Sequence, residues 1–279
     1  MPETGESDAT TLAALRGRID AVDESIHRLL IERASVIDAL IAAKGTQRSG
    51  AAFRPQREAE MMRKLAARHG GHLPLAAVEH LWREIITTFT YLQAPFRVVV
   101  DYGPDPLAMR DVARFVFGFT VSLDAADGPA DVVKRIAASR SDLGVVPLGD
   151  GSAGTPWWRS LSLTRGPRVM ALLPFIELGG RPAATPAVVV SPPLTEPTAP
   201  DILVFAANAP AAVNLPPRAA ILARSGDEAM VAMAGSDAEA ELAAAGAADI
   251  AAIGGIARGI SADGLTGPLR LPVGKEARA

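Results

Sequence analysis

A heptad seam runs through the first part of the chain and limits what it can become. From Thr10 to about Lys44, apolar residues recur at Leu12, Leu15, Ile19, Val22, Ile26 and Leu29, then at Val36 and Leu40. Steps of three and four predict a long helix with one apolar stripe. One position breaks the seam: Arg33 stands between Leu29 and Val36 where an apolar residue is due. At about 100° per residue, Lys44 falls only about 20° around from Arg33, so the two cations share a face. Arg16 points about 100° away by the same arithmetic and cannot easily serve the same site from the same helix. A lone seam arginine is ordinarily a snorkelling side chain with its stem packed and its guanidinium in water. Two cations on one apolar face weaken that reading.

A second helix is expected from Pro55 to about Arg68, since proline suits the first helical turn. On it Glu58 shares a stripe with Met61, Met62 and Leu65, so a carboxylate also points inward. Buried charges need partners. Three cations against one Glu leave positive charge over, and a small dianionic ligand is its simplest partner. After the breakers Gly70, Gly71 and Pro74, a third helix carries Leu75, Val78, Leu81, Trp82, Ile85, Ile86, Phe89 and Leu92 on its predicted apolar face. Gln93 lies on that side too, where an inward amide is usually just hydrogen-bonded core.

Composition sets the outer bounds. The 279 residues suggest about two domains. A net charge of −3 without a basic run gives no nucleic-acid or membrane footprint. Cysteine is absent, which excludes disulfides, thiol nucleophiles and thiolate metal sites. The acidic start, Met1 to Asp8, lacks the form of a signal peptide, and Ser7 or Asp8 could cap the first helix. No apolar run approaches the ~18 residues that span a bilayer. A soluble cytoplasmic protein is the expectation.

Leu12-Ala13-Ala14-Leu15-Arg16, Ile19-Asp20, Val22-Asp23, Leu29-Leu30-Ile31-Glu32-Arg33, Lys44, Pro55-Gln56-Arg57-Glu58-Ala59 and Gln93 together resemble the all-helical chorismate mutase family, over about a third of the chain. The resemblance implies an intertwined homodimer in which Arg16 is donated to the partner's site. It implies Arg33 and that Arg16 clamping the substrate's carboxylates in forked hydrogen bonds, Lys44 and Gln93 donating to the ether oxygen, and Glu58, with Arg57 nearby, binding the ring hydroxyl. Conversion of chorismate to prephenate is intramolecular, one C–O bond breaking as a C–C bond forms, and no cofactor or metal is implied. The enzyme must hold the substrate folded and stabilise charge growing on the ether oxygen. Gln rather than Glu at position 93 leads us to expect activity without a need for acidic pH. Two positions depart from the family: Arg54 stands where a small acidic residue is usual, and Phe89 where a small polar one is. A bulky aromatic there also resembles isochorismate-pyruvate lyases, which keeps that reaction open as an alternative.

Beyond Pro95 the pattern changes to short apolar runs between Ala-rich helices, as in α/β layers. Phe96–Asp101 and Asp142–Pro147 read as buried strands, with helices over Asp111–Phe119 and Ala130–Ser139. Asp142 to Gly154 resembles a prephenate dehydratase motif, but Gly149 and Asp150 replace its Glu and Asn. Its Thr-Arg-Phe triplet appears as Thr185-Pro186-Ala187 before Val188, which removes an anion clamp and a backbone donor. Ser152 and Thr185 alone read as turn residues, so no dehydratase activity is expected. Ser191–Pro200 reads as a linker. Asp201–Phe205, Asn214-Leu215 and Asp227–Ala234 resemble a shortened regulatory ACT domain. An Ala-rich helix is expected over Ala238–Ala248 and a turn at Gly254-Gly255, which lacks nucleotide-loop spacing.

The expected organisation is therefore multidomain, α then α/β: a three-helix mutase-like domain over 1–94, a degenerate dehydratase-like α/β region over 95–195, and an ACT-like or α/β remnant over 196–279. A catalytically weak sensor or partner-binding protein is the competing function.

Overall fold

The computed structural model describes residues 4–44, 53–149, 155–194 and 199–261. Two compact units divide the chain, Met1–Arg48 and Ser49–Ala279. The first is one helix, α1 (Thr4–Lys44), of 41 residues, about 60 Å long at 1.5 Å per residue. It begins earlier than expected, so Ser7 and Asp8 lie within its span rather than at its cap position.

The second unit opens with α2 (Pro55–Arg68) and α3 (Leu75–Gln93). Pro55 occupies the first turn of α2 as expected. The buried face of α3 differs from the expected one. It comprises Val78, Glu79, Arg83, Ile86, Thr87 and Thr90, while Leu81 and Leu92 are more than half exposed. Polar groups can occupy this face because partners meet them there: the Thr87 hydroxyl donates to the carbonyl of Val116, and Phe119 N–H donates to the Glu84 carboxylate.

Next come β1 (Val98–Val100), α4 (Pro106–Phe117), β2 (Leu123–Ala125), α5 (Pro129–Ala138) and β3 (Leu143–Pro147). The strands pair in parallel with β1 between β2 and β3. Asp105 caps α4 by accepting from Ala108 N–H at 3.0 Å, so the helix starts at Pro106, five residues before the expected Asp111. Alternate strand residues feed two cores. Val98, Val100, Leu143 and Val145 pack with α4 residues Met109, Val112 and Val116. Val99 and Val146 pack with α5 residues Val132, Val133 and Ile136. Strands covered on both faces read as unbroken apolar runs, which is why their sequences were so plain.

The sheet continues through β6 (Ala187–Ser191) and β4 (Arg168–Leu173), both antiparallel joins, and then through β10 (Ala248–Ile256), β7 (Ile202–Asn208), β9 (Glu228–Met233) and β8 (Ala219–Ser225). All nine strands form one sheet, and a separate pair joins β5 (Ile176–Glu177) to β11 (Ile260–Ser261). The last four sheet strands are antiparallel, with one helix, α6 (Ala238–Ala244), leading into β10. This corrects two expectations: the Ala-rich helix ends at Ala244, and Gly254-Gly255 lies within a strand, not a turn. The glycines are there for close approach. A Cβ on Gly254 would lie 2.4 Å from the Val169 carbonyl oxygen, and one on Gly255 would lie 2.4 Å from Pro200. Residues 45–52, Asp150, Ser152 and part of the expected linker (195–198) fall outside the described residues.

Gly254↔Val169 is the one residue pair that registers β10 on β4. Gly254→Ala should therefore lower unfolding free energy by about 1–3 kcal/mol, the usual range for overpacking. Denaturant melts of both proteins measure it; an unchanged midpoint would show that this approach is not tight.

Candidate functional site

Arg16, Arg33 and Lys44 all belong to α1. Arg16 is exposed and Arg33 is half-buried. Along the axis Arg33 lies about 25 Å from Arg16 and about 16 Å from Lys44, the last helical residue. The apolar stripe that Arg33 interrupts is bare. Leu15 is 46% exposed and Val36 62%, with Leu12, Ile19, Val22, Ile26 and Leu29 in between. A single helix cannot bury its own apolar stripe, and helices of this kind are held mainly by packing.

In the second unit, Arg57 is exposed and Glu58 half-buried beside it on α2. The inward carboxylate has found a partner that the sequence reading missed: Glu58 Oε2 lies 3.6 Å from Arg83 Nη1 of α3. Arg83 Nε lies 3.9 Å from Glu79 Oε1, one helical turn earlier. Glu79 Oε2 in turn lies 3.2 Å from Arg181 Nη1. Arg181 also donates to the carbonyls of Ile176 and Pro182 and sits 4.8 Å over the Phe115 ring. The result is a row of alternating charges, Glu58–Arg83–Glu79–Arg181, with Glu79 only 1% exposed. One signal in the sequence could have pointed to it: Glu79 and Arg83 are spaced i,i+4, the spacing of a helical ion pair.

Burial raises the Glu79 carboxyl above its ordinary range, against the pull of Arg181 and Arg83. Burial likewise raises Glu58, offset in part by Arg83 and by a hydrogen bond from the Arg54 backbone. Burial lowers Arg181, with Glu79 opposing. Glu58 and Arg83 line a cleft of about 540 Å³, counted out to its open mouth, whose other walls include Phe53, Phe117, Met170 and Phe175.

Gln93, the last residue of α3, donates its amide N–H to the carbonyl of Phe89 at 2.9 Å. It lies about 15 Å farther along the helix than Arg83, the partner of Glu58. Thr185 is half-buried, and the Pro186 carbonyl accepts from Leu148 N–H at 2.8 Å, tying that stretch into the sheet. Among the described residues no cluster of three His, Asp or Glu side chains is placed to hold a metal ion. No described helix is long and apolar enough to cross a membrane.

Residues 15–94 match the chorismate mutase type II family, and the N-terminal part of the chain is a chorismate mutase type II domain. Among curated proteins, the chain is 30% identical over 140 residues to the bifunctional chorismate mutase/prephenate dehydratase of Neisseria gonorrhoeae. That match covers 50% of this chain and 38% of the relative. The protein of the same description from Pseudomonas aeruginosa is 30% identical over 152 residues, covering 53% of this chain and 41% of the relative. For that from Aquifex aeolicus the figures are 32% over 141 residues, 49% and 38%. The matching part thus spans about two fifths of each relative's length. No solved structure matches the chain.

Replacing Arg181 by Met keeps apolar bulk but leaves Glu79 without its nearest cation. A raised carboxyl contributes stability that is present below its unfolded value of 4.5 and lost as pH rises through its folded value. Removing Arg181 raises Glu79 further. The variant should lose about 3–5 kcal/mol near neutral pH, and the deficit should shrink as pH falls toward 4.5. Denaturant melts across this range would show a pH-independent deficit if the pairing did not matter.

Proposed function

We propose that the chain is a chorismate mutase acting as a homodimer. The match of residues 15–94 to the chorismate mutase type II family carries this reading. That stretch contains Arg16, Arg33, Lys44, Arg57, Glu58 and Gln93 in the order and spacing that first suggested the family. Arg33, with Arg16 of a second copy, clamps the two carboxylates of chorismate. Lys44 and Gln93 donate to the ether oxygen as its charge grows, worth most where water is excluded. Gln93 must first turn its amide away from the Phe89 carbonyl. Glu58 accepts from the ring hydroxyl, with Arg57 beside it. Folding the substrate into a reactive chair supplies much of the rate, since both reacting carbons belong to one molecule.

The bare stripe of α1 supports the dimer, because a run of exposed Leu, Ile and Val at heptad spacing needs a second helix to cover it. A cytoplasmic location is in keeping with the lack of cysteine. The C-terminal strand order β10-β7-β9-β8 has one crossover helix, in keeping with a shortened ACT-like remnant over 196–279. The relatives' names include prephenate dehydratase, but we propose no such activity here. Gly149 and Thr185-Pro186 lack the carboxylate and guanidinium that the resemblance calls for.

Chorismate disappearance with product identification tests the reading. The wild type should form prephenate, and Arg33→Ala should lose at least about 100-fold in kcat/KM, the scale of a lost charge-assisted pair at about 3 kcal/mol. Pyruvate and salicylate from isochorismate would indicate the lyase favoured by Phe89 instead. Absence of both reactions would favour the non-catalytic sensor, and phenylpyruvate would restore the dehydratase.

Sedimentation should give twice the chain mass, and Ile19→Glu with Ile26→Glu should convert the dimer to monomer. A wild-type monomer at assay concentration would remove Arg16 from the site.

A further inference from the structure

Among the described residues lining this cleft, Glu58 is the only acidic side chain and Arg83 the only basic one. The two lie 3.6 Å apart, on different helices. Arg83 is not free to leave. Its side chain is nine-tenths buried, Glu79 draws it from the far side, and its guanidinium packs 5.9 Å from the centre of the Phe175 ring. Glu79 is held by Arg181, and Arg181 by backbone carbonyls around β5. The row thus has one end fixed at the Ile176 and Pro182 carbonyls and one end with a quarter of its side chain exposed.

We propose that Arg83 is a positioning residue for Glu58, backed by Glu79 and Arg181, so that the sheet-bearing part of the chain holds in place a carboxylate of the mutase site. The proposal rests on the reading of Glu58 as a ligand of the substrate hydroxyl. At 3.6 and 3.9 Å the contacts of Arg83 are attractions between charges rather than hydrogen bonds. A cation of another shape should therefore serve nearly as well, whereas a neutral side chain should not. The groups facing Glu58 are Arg83 from α3 and the Arg54 backbone at the start of α2, with Glu79 and Arg181 acting through Arg83. Burial favours protonated Glu58, and Arg83 opposes it. Without that cation the carboxyl should take up its proton at higher pH.

The test compares full-length wild type, Arg83→Gln, Arg83→Lys, Glu58→Gln and the double variant Arg83→Gln/Glu58→Gln. Titration of the Glu58 carboxyl by carbon-13 NMR is read first, because it does not depend on turnover. Arg83→Gln should move its midpoint up by at least one pH unit, and Arg83→Lys by less than half of that. With chorismate, Arg83→Gln should raise KM at least tenfold near neutral pH, change kcat less, and shift the acid limb of kcat/KM upward. Arg83→Lys should restore most of this. In the Glu58→Gln background, Arg83→Gln should add less than a twofold further effect. An unmoved Glu58 titration would overturn the proposal, as would equal damage from Lys and Gln or full additivity in the double variant. If the wild type and Arg33→Ala handle chorismate alike while the titration shifts as expected, the mutase reading fails and the electrostatic coupling stands. Thermal melts of each variant separate these effects from loss of fold.

Discussion

Charge buried between helices and sheet is the constraint on which the second unit depends. Glu79 is almost wholly removed from water, and an ionised carboxylate there is tolerated only because Arg181 and Arg83 flank it. This explains why α3 turns Glu79, Arg83, Thr87 and Thr90 inward and leaves Leu81 and Leu92 outside. The apolar share of the same seam is supplied by Met62, Leu65, Val78 and Ile86 against Phe175, Ile176 and Ile260. Hydrophobic burial holds α2 and α3 to the β5 region, and the ion row fixes which way α3 is rotated.

Parts of this were legible from residues alone. The long first helix, the proline-started second and the apolar runs at 98–100 and 143–147 were visible because each carries a strong local signal: heptad spacing, a φ-locked ring, or a short valine-rich run. The face of α3 was not. Its apolar residues spread over most of the helix circumference, so periodicity could not decide which arc is covered. Strand β10 was hidden for another reason. Ala and Gly suit a sheet poorly by propensity, and only the closeness of Val169 and Pro200 makes small residues necessary there.

The candidate site was legible in residue type and illegible in partnership. Glu58 was read as inward, and it is partly so; its counterion Arg83 was overlooked because it lay off the apolar face expected for α3, whereas the structure buries it. Gln93 was given its donor role by resemblance alone, and its amide donates to the carbonyl four residues back, in keeping with the plainer reading of an inward amide. The residues of α1 stand on a helix whose hydrophobic side is open, and the proposed dimer would cover it.

The join between β4 and β10 has a consequence for how the chain can be shortened. Strand β4 has β6 on one side and β10 on the other, so the C-terminal strands act as a cover for backbone groups that would otherwise face solvent. A sheet margin left open in this way invites pairing with any extended segment nearby. Strands β7 to β10 are thus the selvedge of the fabric, and a trimmed version of this chain would fray at that hem.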